Sequence, residues 1–211
     1  MLERPCSAWL WLLLLLVFDV VFRVDCFNLD MRWPIVKRGE LDSYFGYSVA
    51  GHQSLDENGA VNQSWILVGA PLGQNLQPGT KRSGALWKCP LTSLYSDCEQ
   101  VVTDGKRRVN NGPYDPTIDS LNLLPPTNDE IKDGQWLGVV VRSQGRGEKV
   151  MVCAHRYINR GEEYQWGQGL CYILTQNLHL FEAMVPCKGR ETDKGQAQFG
   201  YCQAGTSGVL L

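Results

Sequence analysis

The chain has 211 residues, 44% of them apolar, with 20 Lys+Arg against 22 Asp+Glu and a formal charge of −2. That balance excludes a nucleic-acid binder working through bulk positive charge. The 22 Gly, 10 Pro, 7 Trp and 8 Tyr describe a turn-rich globular chain, not a coiled coil or a disordered tail.

Residues 8–18 (AWLWLLLLLVF) form an unbroken apolar run behind Arg4. The run is too short to span a bilayer and Asp19 ends it, so residues 1–26 are expected to be a cleaved signal peptide and residues 27–211 the mature chain. Entry into the secretory pathway follows. Of the eight cysteines, Cys6 and Cys26 leave with the signal, and Cys89, Cys98, Cys153, Cys171, Cys187 and Cys202 remain. An even number in an oxidising compartment argues for disulfides. Many connectivities are open; nearest-neighbour pairing, Cys89 with Cys98, Cys153 with Cys171 and Cys187 with Cys202, is the simplest. No pair has zinc-ligand spacing, and no metal site is expected.

Along the mature chain, residues 64–68 (SWILV), 85–88 (ALWK), 137–142 (LGVVVR), 149–154 (KVMVCA) and 170–174 (LCYIL) are short β-branched, aromatic or aliphatic runs between turn residues. This is the pattern of antiparallel all-β structure. Asn62-Gln63-Ser64 is the one N-x-S/T sequon and falls in a predicted turn, so Asn62 is a candidate glycan acceptor. Residues 56–59 and 128–134 are polar but lack the carboxylate ladder of a calcium loop, and they are expected to be hairpin turns. Residues 104–135 show no sustained periodicity and are expected to be a long polar excursion.

An internal repeat decides the fold class. Phe45-Gly46, Leu137-Gly138 and Phe199-Gly200 each follow a short polar approach; the first leads to Gly69-Ala70-Pro71 and the second to Cys153-Ala154-His155. In such a unit the Phe or Leu packs between neighbouring sheets while the glycine lets backbones approach closely. Catalytic constellations are thin: there is no G-x-S-x-G, P-loop or H-E-x-x-H, and His52, His155 and His179 stand in unrelated contexts. His155 is expected to be a buried, hydrogen-bonded residue at a turn.

These residues, with the mature start Phe27-Asn28-Leu29-Asp30, Gly84-Ala85-Leu86-Trp87-Lys88-Cys89 and the run Cys153-Ala154-His155-Arg156-Tyr157, closely resemble the N-terminus of an integrin α subunit. The Cys-Ala-His-Arg-Tyr run is similar to the laminin-binding branch of that family. The resemblance implies a seven-bladed β-propeller of FG-GAP repeats, of which this chain would hold about two and a half blades, with repeats opening near Phe45, Leu137 and Phe199. Because it stops at Leu211, the chain is expected to be a truncated product with two open sheet edges. The resemblance further implies a non-enzymatic cell-surface receptor for cell–matrix adhesion. Its partners would be an integrin β subunit and a matrix protein of the laminin type, with calcium confined to the later, missing blades and no cofactor here. The aromatic cage that receives a basic side chain of the β subunit would be Tyr44, Tyr47, Trp136 and Tyr201. A specificity loop over residues 156–169 would present Arg160, Glu162, Glu163, Tyr164 and Trp166 to ligand. Two alternatives are a soluble fragment acting as a decoy or having no function, and an FG-GAP-bearing secreted enzyme.

Overall fold

The computed structural model describes residues 34–110, 112–115, 121–161, 164–191 and 199–211. The expected signal peptide, the mature start at residues 27–30, Glu162 and Glu163 lie outside the described residues. The strands are β1 (Ser48–Leu55), β2 (Val61–Ala70), β3 (Ala85–Pro90), β4 (Glu99–Gln100), β5 (Glu130–Ile131), β6 (Val140–Ser143), β7 (Val150–Ala154), β8 (Ile158–Arg160), β9 (Gln165–Trp166), β10 (Leu170–Leu174) and β11 (Leu180–Met184). Strands β1-β2-β3-β4 form one antiparallel meander and β6-β7-β10-β11 another, while β5-β8-β9 make a small third sheet. Two successive four-stranded meanders are propeller blades, so the expected all-β class holds.

The blades pack through one apolar core. Leu67 and Leu86 of the first blade share a buried cluster with Val141, Val150, Val152, Tyr172 and Leu174 of the second. All five residues of β7 are buried, since its other face is covered as well: Met151 and Cys153 cluster with Val140 and Ile173, and Leu210 packs against them. Each fully buried Leu or Val in this sandwich contributes about 1.5–3 kcal/mol. A polar bolt joins the blades at β1. His52 is buried against Trp65, with ring centroids 6.0 Å apart. Its Nε2 donates to Gln176 O at 2.9 Å and its Nδ1 accepts from the Ser143 hydroxyl at 2.8 Å.

The repeat is a turn with a defined geometry. Tyr44 and Gly46 have φ of 56° and 94°, and Trp136 and Gly138 have φ of 66° and 93°. In both copies the N–H after the glycine donates back across the turn, Tyr47 to Tyr44 O at 3.0 Å and Val139 to Trp136 O at 3.1 Å. The third copy, expected near Phe199-Gly200, shows this turn geometry a little further along the chain. It is five residues later, where Gln203 and Gly205 have φ of 46° and 91° and Thr206 N–H donates to Gln203 O at 3.3 Å. The parallel bridges Gly84↔Leu137 and Gly169↔Ala204 make the same equivalence. Gly200 has a different duty, because a Cβ there would lie 2.2 Å from the Trp166 indole.

Other expectations are corrected in detail. The strand expected over residues 137–142 starts at Val140, because Leu137 and Gly138 belong to the turn. Asn62 lies within β2, not in a turn; it is exposed and is the residue skipped where Ser54 pairs with Gln63 and Leu55 with Val61, a β-bulge. Residues 56–59 do form a polar hairpin turn, with Asp56 Oδ1 accepting from the N–H groups of Asn58 and Ala60 at 2.9 Å each. Residues 128–134 are a turn only in part, since β5 lies among them.

The polar excursion over residues 104–135 is anchored by a buried network. Asp104 is 1% exposed and Lys132 5% exposed. Asp104 accepts from Lys132 Nζ at 2.6 Å, Tyr172 OH at 2.5 Å and Asn75 Nδ2 at 3.1 Å, and Lys132 Nζ also donates to Tyr172 OH at 2.8 Å. Burial alone would push the Lys132 ammonium down, but the Asp104 and Glu130 carboxylates hold it above its ordinary value.

Three disulfides join Cys89 to Cys98, Cys153 to Cys171 and Cys187 to Cys202. Cys153 and Cys171 are directly opposite in the β7–β10 ladder, at the place Gly69 and Leu86 take in the first blade. Nonreducing peptide mapping of secreted protein is expected to recover these three pairs. Opening Cys153–Cys171, which closes an 18-residue separation, is expected to lower stability by about 3 kcal/mol. Recovery of a different pairing would contradict the blade register.

Candidate partner-binding face

The repeat turns set aromatic side chains beside one another. Tyr44 and Trp136 occupy equivalent left-handed positions, each costing about 1–2 kcal/mol of backbone strain for a residue with a Cβ. The turn hydrogen bonds and the burial of Leu137 impose that geometry. Tyr47 follows the first glycine. The rings of Tyr44 and Tyr47 stack at 6.4 Å, and Trp136 meets both edge-on, at 6.2 Å from Tyr44 and 6.1 Å from Tyr47. Tyr44 and Tyr47 are 53% and 55% exposed, so an aromatic surface contributed by both blades faces outward.

Charge is already present at this surface. The Arg156 guanidinium lies 5.5 Å from the centroid of the Trp136 ring, held there by a turn in which Arg156 N–H donates to Gln135 O at 3.2 Å. Cation–π attraction of this kind is worth about 0.5–2 kcal/mol. His155 meets Trp136 edge-on at 5.7 Å. Burial, and secondarily the Arg156 charge, push its pKa below the ordinary histidine value, keeping the ring neutral at neutral pH. The expectation that His155 is hydrogen-bonded does not hold at Nδ1, which is buried with no partner among the described residues. Its sequence neighbours revealed neither this nor the stacking of Arg156, because both depend on where the second repeat turn is placed.

Tyr201 is not brought into this group. It follows Phe199-Gly200 rather than the third repeat turn, and its ring meets Trp166 edge-on at 5.6 Å. The residues equivalent to Tyr44 and Tyr47 in the third copy are Gln203 and Thr206. Trp166 also stacks on Tyr164 at 5.3 Å, so Tyr164, Trp166 and Tyr201 form a second aromatic group. The segment 156–169, expected to be a loop, contains the β8–β9 pair. Arg160 ends β8 and is exposed, and its N–H donates to Asp129 O at 2.7 Å. The Cys153–Cys171 disulfide brackets this hairpin.

No family model matches the chain. Curated proteins do. It is 38% identical over 200 residues to Integrin alpha-7 of Rattus norvegicus, covering 89% of this chain and 16% of that protein. It is 35% identical over 195 residues to Integrin alpha-6 of Gallus gallus, covering 87% of this chain and 16% of that protein. It is 34% identical over 192 residues to Integrin alpha-3 of Cricetulus griseus, covering 86% of this chain and 16% of that protein. The chain thus spans only a small part of the length of the relatives it matches.

Proposed function

The chain belongs to the integrin α family, and on that premise we propose that it supplies part of the propeller face through which an α subunit joins a β subunit. The assembly would be a non-catalytic adhesion receptor reaching the cell surface through the secretory pathway. The observation that carries this reading is the packing of Tyr44, Tyr47 and Trp136, contributed by two blades, into one exposed aromatic surface. Such a surface favours an inserted Lys or Arg, because the faces of the rings carry negative charge density. The guanidinium of Arg156 over Trp136 supports the indole as a cation acceptor. Gln203 and Thr206 leave the third repeat turn without an aromatic contribution, so the inserted side chain would be held by the first two turns.

A matrix ligand of the laminin class is the finer part of the proposal. It rests on the similarity to Integrin alpha-7, Integrin alpha-6 and Integrin alpha-3. The β8–β9 hairpin, with Arg160, Tyr164 and Trp166, is the segment proposed to meet it. Glycosylation of Asn62 is proposed on the exposure of its bulge.

The experiment is co-precipitation of a β subunit by the full α chain. Trp136→Ala is expected to lower heterodimer recovery by about 2 kcal/mol, roughly thirtyfold. Trp136→Phe, which keeps an aromatic face, is expected to retain most of it. Intact disulfides and normal secretion establish that the variants fold, and full recovery with a folded Trp136→Ala chain would refute the assignment. Laminin binding by the purified heterodimer, measured with and without Trp166→Ala, tests the ligand separately.

A further inference from the structure

Away from the aromatic face, the polar excursion and the second blade border an open-sided cavity of about 550 Å³. Sites for small organic ligands run to about 300–1,000 Å³. Lys132 and Tyr172 of the buried network line it, and Tyr157, Leu170, Leu180 and Val185 give it apolar wall. Three further cations line it: Lys106, Arg108 and Lys188. Two of these have partners. Arg108 is paired with Glu182 at 2.5 Å and lies over the Tyr114 ring at 4.7 Å, and Lys188 is paired with Asp129 at 3.0 Å.

Lys106 differs. It is half-buried, and among the described residues no hydrogen bond or ion pair holds its ammonium. Burial pushes its pKa down, and the Asp115 charge partly offsets this. Glu130, the one carboxylate among the described lining residues, is engaged by Tyr157 OH at 3.2 Å and Lys132 at 3.7 Å. Gln77, 3% exposed, lies in the same wall, where its Nε2 donates to Leu124 O. A partly withdrawn charge is normally matched, and an anion is the group that matches Lys106.

We propose that this cavity is a binding site for a small organic anion. The carboxylate, sulfate or phosphate of the ligand pairs with Lys106, and its apolar body lies against Tyr157 and Leu180. The site is independent of the aromatic face, since none of Tyr44, Tyr47 and Trp136 lines the cavity.

Titration calorimetry on the full chain, alone or joined to its β partner, tests the site with 2-naphthoate as the anionic probe and naphthalene-2-methanol as its neutral counterpart. Saturable binding of 2-naphthoate is expected, with the alcohol weaker by about tenfold or more. Lys106→Met is expected to weaken 2-naphthoate by about tenfold, while Lys106→Arg stays within about threefold of the parent. β-subunit recovery serves as the folding control, because Lys106 lies outside that surface. Absence of saturable binding, equal binding of the alcohol, or indifference to Lys106→Met in a folded chain would each overturn the proposal.

Discussion

Lys132→Met is expected to destabilise the folded chain by about 3–5 kcal/mol, the usual consequence of removing one partner from a buried ion pair. The surviving Asp104 carboxylate is 1% exposed and would keep only hydroxyl and amide donors, Tyr172 and Asn75 foremost. For a domain of this size the loss corresponds to a fall of about 6–20 °C in Tm. Asp104→Leu combined with Lys132→Met removes both charges and is expected to recover a substantial part of it. Thermal unfolding of the two variants beside the parent decides the matter, and a single variant within about 1 kcal/mol of the parent would show that the network carries little stability. The same network makes the fold sensitive to alkali. Burial and the Asp104 charge hold the Tyr172 phenol well above its ordinary 10.0, and Lys132 lies above its ordinary 10.5. Both groups therefore keep protons in the folded state that the unfolded chain releases. Their contribution is whole below about pH 10 and declines as the pH rises further.

Gly138→Ala is expected to cost about 3–5 kcal/mol, against about 1–2 kcal/mol for Gly46→Ala. The two glycines have nearly the same backbone conformation, φ of 93° and 94°, so they share the strain of adding a Cβ. They differ in surroundings. A Cβ on Gly138 would lie 2.7 Å from Ala85 O and 2.9 Å from Gly69 Cα, whereas one on Gly46 meets nothing within 4 Å. The difference measures the contact between the blades, and denaturant unfolding reads it directly. Equal losses in the two variants would mean that the Gly138–Gly69 approach is not a close contact in solution.

The two glycines also mark how far the sequence could be read. The first two repeat turns were visible as Phe45-Gly46 and Leu137-Gly138, because a bulky apolar residue before glycine is a local pattern. The third, expected near Phe199, has its turn five residues beyond Phe199-Gly200. At the true position, Ala204-Gly205, the bulky residue is absent and the turn is defined only by its backbone and its bridge to Gly169. Tyr201, expected in the cage, meets Trp166 instead, because it follows Phe199-Gly200 and not this turn. Strand β1 carries little local signal, because its inward positions include His52 and Ser54 while Val49 faces outward, inverting the alternation by which strands are recognised.

What the sequence determined by itself is what depends on neighbours along the chain. This covers the all-β class, the strands rich in β-branched residues and the even cysteine count. Two of the three repeat turns and the family resemblance belong here as well. Only the tertiary structure decided which polar residues are buried and which rings meet. Asp104 and Lys132 are 28 residues apart, and nothing local marks either as internal. Tyr44 and Trp136 become neighbours only when the second blade packs on the first. Burial and ring contact are set by the apposition of distant segments, and a pattern confined to adjacent residues carries no record of it.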